Sequence, residues 1–346
     1  MATPARILIV RLSHLGDVVH ALPVYHALRA AHPRARIGWA VQPEFAALVE
    51  GLAGLEDAFV FERRGGLRAW PRLWSRLRAF APDWTIDAQG NTKSALVTLG
   101  SGAPRRSGLA RRDWAEPFGA AVLTDAAEPA PPGGHALERT RALFRHVAPH
   151  APWRPDPGLA AHELVLGDEL ADRWLGRGGD AAILHLAPPG DVRSWPAARF
   201  GELARELAAR GRAVLVLSGP AERELGAQLE QRVAGPRVRH WVGQRDLRAL
   251  AAFLRAASAR GATFVGCDSG PLHLAVACGL RTICLAGPQD PLRTGPWPLG
   301  GEAGHRAVTA SPAPSCAPCL SRRCRHPRGP VCLDELRASD VAAALP

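Results

Sequence analysis

Two aspartates, Asp17 and Asp268, occupy comparable places in two distant segments, ILIVRLSHLGDVVHALP at 7–23 and TFVGCDSGPLHLAVACGL at 263–280. In each, a β-branched apolar run ends in a short polar loop that carries the aspartate, and a stretch of helical period follows. That pattern puts both carboxylates at strand ends. Ligands of open α/β sheets bind at the carboxyl ends of the strands, where helix N-termini and loop amides converge. Function is expected between these two loops.

Several chemistries lose support at once. No G-x-G-x-x-G follows the first strand, no G-x-x-x-x-G-K-[ST] occurs, and no D-x-D dyad is present to hold a divalent metal against a sugar-nucleotide diphosphate. Hydride transfer and nucleotide hydrolysis are therefore disfavoured. A phosphate bound here would have to be neutralised by arginine, lysine and helix N-termini.

The elements that must position these loops alternate strand and helix. Strand-like runs at 6–12, 36–41, 58–61 and 84–90 are separated by helical patterns at about 18–31, 45–50 and 67–80. Pro23 is read as close enough to the first helix start to be tolerated. Between about 125 and 180 the rhythm breaks into Pro- and Gly-rich stretches around a helical segment at 136–147, which places a junction near 155–178. It restarts with strands at 181–190, 213–220, 238–243, 263–270 and 282–288. Between them lie helices near 197–210, 222–233, 247–257 and 273–278. The tail LDELRASDVAAALP reads as one amphipathic helix. The expectation is an α/β chain of two doubly wound parallel-sheet domains with a cleft between them, at 1–160 and 178–330, followed by a C-terminal helix at 331–346.

Bulk properties agree with that division. A chain of 346 residues, 47% hydrophobic, exceeds what one ordinary core absorbs. It contains no apolar run long enough to span a bilayer and no signal-peptide pattern, so a soluble cytoplasmic protein is expected. The formal net charge of +11 draws it to polyanions: nucleotides, anionic lipid headgroups or nucleic acid. The near-complete preference for arginine over lysine, with abundant alanine, partly reflects a GC-rich coding bias. Cys267, Cys278 and Cys284 lie in apolar surroundings and read as buried thiols. Cys316, Cys319, Cys324 and Cys332 form a compact set that reads as a structural zinc or iron site or as free thiols, flanked by Arg322, Arg323, Arg325 and Arg328.

The loop SHLGDVVHALP, the RSWP stretch at 193–196, the SGPAE turn at 218–222 and the CDSGPLHLAVACGL segment together resemble glycosyltransferase family 9, the ADP-heptose glycosyltransferases of lipopolysaccharide synthesis. The resemblance spans nearly the whole chain in order. It implies the GT-B fold, two Rossmann-like domains with the acceptor on the N-terminal one and the sugar nucleotide on the C-terminal one. It implies that Asp17, in an acceptor-side loop with Ser13, His14 and Gly16, is a general base, its pKa raised by partial desolvation. The ordinary alternative is that Asp17 caps a helix beginning at Val18.

The resemblance further implies a donor site of Arg193, Glu222, Asp268, Ser269, Gly270 and His273. Ser269 and Gly270 would offer amides to the diphosphate, and Glu222 would accept from the ribose. Arg193 stands where the family typically has lysine, and the loop at 187–190 lacks the hydroxyls seen in some members. His273 has the ordinary alternative of a packed core histidine, and Glu222 that of a helix-start carboxylate.

The implied reaction is inverting, metal-independent transfer of heptose from an ADP-sugar to a lipopolysaccharide-core-like acceptor. Similar C-terminal cysteine clusters recur in the family, in an iron-binding version among members that glycosylate autotransporters. A lipid-linked anionic acceptor implies peripheral contact with the cytoplasmic membrane face through Arg63, Arg64, Arg68, Trp70, Arg72, Trp74, Arg105, Arg106, Arg111 and Arg112. The same fold acting on a protein or a secondary metabolite is the competing enzyme reading. A basic nucleic-acid-binding protein is the non-enzyme one, but no recognisable nucleic-acid-binding motif is present and no nucleic-acid partner is expected.

Overall fold

The computed structural model describes residues 4–346, apart from the side chains of Arg63, Arg64 and Leu67. Arg63 and Arg64, named above for membrane contact, thus lie outside the described side chains. The chain divides into two compact units at Ala160/Ala161.

The first unit is built on β1 (Arg6–Val10), β2 (Arg36–Val41), β3 (Leu55–Val60), β4 (Trp84–Asp87), β5 (Arg105–Gly108) and β6 (Asp125–Ala126), in the order β3-β2-β1-β4-β5-β6. The second uses β7 (Ala181–His185), β8 (Ala213–Leu217), β9 (Val238–Trp241), β10 (Thr263–Cys267), β11 (Arg281–Leu285) and β12 (Arg306–Val308), in the order β12-β11-β10-β7-β8-β9. Every pairing is parallel. Ile7 to Val10 and Ala182 to Leu184 are wholly buried, as strands covered by helices on both faces must be. Both sheets are doubly wound. In the first, successive strands step outward one way from β1 and the other way from β4; in the second the same reversal falls between β7 and β10. These are the topological switch points at which such sheets bind ligands.

The local structure departs from the sequence reading in several places. The first helix spans Leu15–Ala31, beginning three residues earlier than expected, and Pro23 lies in its interior rather than near its start. The helix after β10 is Gly270–Ala277, again three residues early. First-turn amides have no intrahelical partner in any case, so the Gly, Asp and Pro that read as loop residues cost little there. The Thr92–Gly100 helix was unassigned; its signal is a capping box, in which Asn91 accepts from the Ser94 amide while Ser94 accepts from the Asn91 amide.

The expected junction at 155–178 contains a helix, Ala161–Leu175, that belongs to the second unit. It packs on the Leu247–Ala259 helix so closely that a Cβ at Gly167 would sit 2.4 Å from the Ala252 carbonyl oxygen. Arg248 Nε also donates to Glu163 Oε1 at 2.7 Å across the pair. The tail is two short helices, Val331–Asp334 and Ala338–Ala344, not one. At the break, the Leu336 carbonyl accepts from Trp195 Nε1 at 3.0 Å instead of continuing a helix. Among the described residues no helix is long and apolar enough to cross a membrane.

Candidate functional site

At the switch point of the first unit, the chain leaves β1 through Arg11 to His14 and enters the Leu15–Ala31 helix. Gln89, just past β4, fixes this loop, its Oε1 accepting from the amides of Leu12 at 2.6 Å and Ser13 at 3.3 Å. Asp87 fixes Gln89 in turn. Its buried carboxylate accepts from the amides of Gln89 and Gly90 and from Thr98 Oγ1, although burial still pushes it above the usual carboxylate range. His14 adopts φ 30°, a backbone state rare outside glycine, and its carbonyl accepts from the Val18 amide. Gly16 is buried in the first helical turn.

Asp17 is the third residue of that helix and caps nothing; His14 holds the cap position and no side-chain cap bond is made. The Asp17 carboxylate instead pairs through Oδ1 with Arg11 Nη2 at 2.7 Å, and through Oδ2 with His14 Nδ1 at 3.5 Å. Burial alone would raise its pKa. The Arg11 charge, the His14 hydrogen bond and the His20 charge outweigh burial and hold the carboxyl well below its usual range. The rise expected from desolvation therefore does not occur.

The switch point of the second unit joins the loop after β7 to the loop after β10. Asp191 grips Arg193 three times: Oδ1 accepts from the Arg193 amide at 2.9 Å and from Nε at 3.0 Å, and Oδ2 accepts from Nη2 at 2.7 Å. This contact holds Asp191 below its usual range and raises Arg193. Nη1 lies 3.4 Å from the Asp268 carbonyl. Trp195, buried, anchors the loop by donating its amide to Cys267 Sγ at 3.3 Å.

Asp268 is half-buried and fully engaged. Oδ2 accepts from Thr294 Oγ1 at 2.9 Å, and Oδ1 lies 3.4 Å from His273 Nε2. Ser269 caps the Gly270–Ala277 helix by position, yet its hydroxyl, buried at the atom level, has no partner. Glu222, at the end of the β8 loop, is buried, with Oε2 accepting from the Gly219 amide at 2.9 Å; burial raises its carboxyl.

The structure thus gathers Ser13, His14, Gly16 and Asp17 in one unit, and Arg193, Asp268, Ser269, Gly270 and His273 in the other, with Glu222 one strand away. Sequence reasoning missed Arg11, Gln89, Asp191 and Thr294. Asp191 alone had a local signal, an acidic residue two positions before Arg193.

Cys267, Cys278 and Cys284 are buried free thiols, Cys267 pushed up to about 12 by burial. The four cysteines expected as a structural zinc or iron site or as free thiols gather at one place. All four thiols and His326 line one small cavity, but among the described residues no three His, Cys, Asp or Glu side chains are grouped to hold a metal ion. Cys316, Cys319 and Cys324 are exposed in an irregular loop, whereas Cys332 is buried in a helical turn and raised to about 11, by burial and then by the facing thiols.

The expected membrane patch is also reshaped. Arg105 pairs with Asp125 and stacks on Trp84, Arg106 donates to the carbonyls of Val122 and Ala103, and Arg112 donates to that of Ala130. Arg68, Arg72 and Arg111 remain exposed, Trp70 and Trp74 are half-buried, and Trp74 donates to the Leu96 carbonyl at 3.1 Å.

The profile described as glycosyltransferase family 9 (heptosyltransferase) matches residues 70–328. The chain is 32% identical over 337 residues to lipopolysaccharide heptosyltransferase 1 of Pseudomonas aeruginosa, covering 93% of this chain and 88% of the relative. It is similar to the solved structure of E. coli heptosyltransferase WaaC with ADP, with a TM-score of 0.71 and 26% identity over 98% of this chain and 96% of that one. The E. coli WaaC structure with ADP-2-deoxy-2-fluoro heptose gives a TM-score of 0.71 and 25% identity over 98% of both chains.

Proposed function

The chain belongs to glycosyltransferase family 9 (heptosyltransferase), and on that premise we propose that it moves a heptose from an ADP-activated donor to a hydroxyl of a lipopolysaccharide-core acceptor, inverting the anomeric carbon. Its two Rossmann-like units are those of a GT-B glycosyltransferase. The observation that carries the reading is what each doubly wound sheet presents at its switch point: an ion-paired, partly exposed carboxylate in the first, and in the second a helix N-terminus beside an arginine.

In the proposed step the acceptor hydroxyl gives its proton to Asp17 Oδ2 as its oxygen bonds to the anomeric carbon. The bond from that carbon to the β-phosphate oxygen breaks, and its electron pair leaves with ADP. The charge growing on ADP is met by the amides at the start of the Gly270–Ala277 helix, by the unpartnered Ser269 hydroxyl and by Arg193 Nη1. These groups supply the neutralisation that a metal provides elsewhere, so the step is proposed as metal-independent. Asp268, held by Thr294 and His273, shapes the turn. Glu222 has Oε1 left to accept from a ribose hydroxyl.

Exchange of Asp17→Asn tests this directly. Turnover of ADP-heptose with a lipid-linked core acceptor should fall at least about 1,000-fold while ADP affinity by calorimetry stays within about twofold. Equal losses in both would defeat the assignment.

The acceptor's lipid would be met by the face carrying Arg68, Trp70, Arg72 and Trp74, extended by exposed Leu96, Leu99 and Phe118. Protein should sediment with anionic vesicles and not with neutral ones, and Leu99→Glu with Phe118→Glu should release it. Binding indifferent to both changes would remove this face from the reading.

A further inference from the structure

We propose that Arg11 is the positioning residue for the base: tied to the carbonyl of Ala88, its guanidinium takes Oδ1 of Asp17 at 2.7 Å and turns Oδ2, which has the longer contact to His14 Nδ1 at 3.5 Å, to meet the acceptor hydroxyl. The inference rests on Asp17 being the base.

Arg11 follows β1, Ala88 follows β4, and Asp17 opens the helix after β1, so one guanidinium joins all three elements of the switch point. Arg11 and Asp17 are six positions apart, a spacing at which helical neighbours do not meet; the turn at His14 brings them together. The burial is unequal. The Arg11 side chain is 11% exposed and Asp17 40%, so the carboxylate, not the cation, faces outward. Arg11 Nε is buried without a hydrogen-bond partner, a cost that an ion pair kept only for stability would be under pressure to shed.

The charged and titratable groups facing Asp17 are Arg11 from the β1 side, His14 from the loop and His20 one turn along its own helix; from the β4 side the neighbours are the neutral Ala88 carbonyl and Gln89. Arg11 is the only permanent cation among these. It keeps the carboxylate ionised at acid pH, and it lowers the affinity for the proton just taken, which favours release to solvent between turnovers.

The test uses the full chain with ADP-heptose and a lipid-linked core acceptor, following kcat from about pH 4 to pH 9. Arg11→Met should lower kcat about 100-fold, leave KM for the donor within about twofold, and bring into this range an acid limb that in the wild type lies below it. Arg11→Lys, which keeps the charge with one donor group, should hold the acid limb in place and recover about tenfold in kcat.

A wild-type kcat and pH profile in Arg11→Met, with Asp17→Asn inactive, overturns the inference and leaves the base assignment standing. An active Asp17→Asn overturns the base assignment itself. Circular dichroism and the unfolding transition of the full chain, which see both units, report whether the variants are folded. Should Arg11→Met fail that check, Arg11→Lys decides alone: a reduced kcat on an unmoved acid limb supports the inference, and a wild-type kcat or a limb shifted upward overturns it.

Discussion

The two switch points use the same pair of side-chain types with the roles exchanged. In the first unit a carboxylate, Asp17, is 40% exposed and its arginine, Arg11, 11% exposed; in the second the arginine, Arg193, is 43% exposed and its carboxylate, Asp191, 31%. The first loop presents its carboxylate and holds the arginine behind it; in the second both partners are partly exposed, the arginine the more so. The difference agrees with the proposed displacement, which calls for a negative group where a proton would be taken and a positive one where a diphosphate would be received. An ion pair at a ligand-binding strand end is therefore informative less for its strength, which is modest when exposed, than for which partner points outward.

The comparison can be broken most severely by Arg193→Met. Losing the outward charge in the second unit should cost about 100-fold in kcat/KM for the donor, the scale of removing one charge-stabilising group from a transition state. If the roles are truly exchanged, the acid limb of kcat stays where it was, in contrast to Arg11→Met. Asp191→Asn is the sharper and smaller probe. It keeps the loop's shape but loosens the fork that aims the guanidinium, and should raise donor KM about fivefold to tenfold with little change in kcat. A shift of the acid limb in Asp191→Asn would mean that the two pairs are not distinct in role.

A gentler contrast concerns acid stability. In the second unit His185 and His305 are buried, and burial pushes both down to about 4 from an ordinary value of 6.5. Both are neutral in the folded chain, while the unfolded chain takes up protons at 6.5. Their contribution is therefore fully present above 6.5 and is lost as pH falls toward 4, by about 3 kcal/mol for each at the lower end. Urea unfolding midpoints measured from neutral pH downward should fall through that window. A flat response would show that these imidazoles are not shielded as described.

Much of the scaffold was legible in the sequence because buried parallel strands read as unbroken apolar runs: RILIV, AAILH and TFVGC all lie where that rule puts them. The two aspartates were legible for the same reason, each being the first acidic group after such a run. What surrounds them was not. Arg11 reads as the penultimate residue of the strand at 6–12, Gln89 lies 77 positions from the Leu12 amide it binds, and Thr294 lies 26 from Asp268. Such contacts are set by strand order, which no local pattern encodes.

The helix starts were misplaced because Gly16, Asp17 and Pro271 are poor interior residues but acceptable in a first turn. The cysteine spacing was legible as a cluster: four cysteines close in sequence do share a cavity, one of them on a helical turn and three in a loop.

Trp195 carries one more implication. It stands two positions from Arg193 in the loop that would receive the diphosphate, and its indole reaches the Leu336 carbonyl, in a segment far from any reactive group. The residues from 336 to 345, several of them buried against the second sheet's helices, act as a footing for that loop. A fusion tag that pulled on this end would be felt first as slack in donor binding.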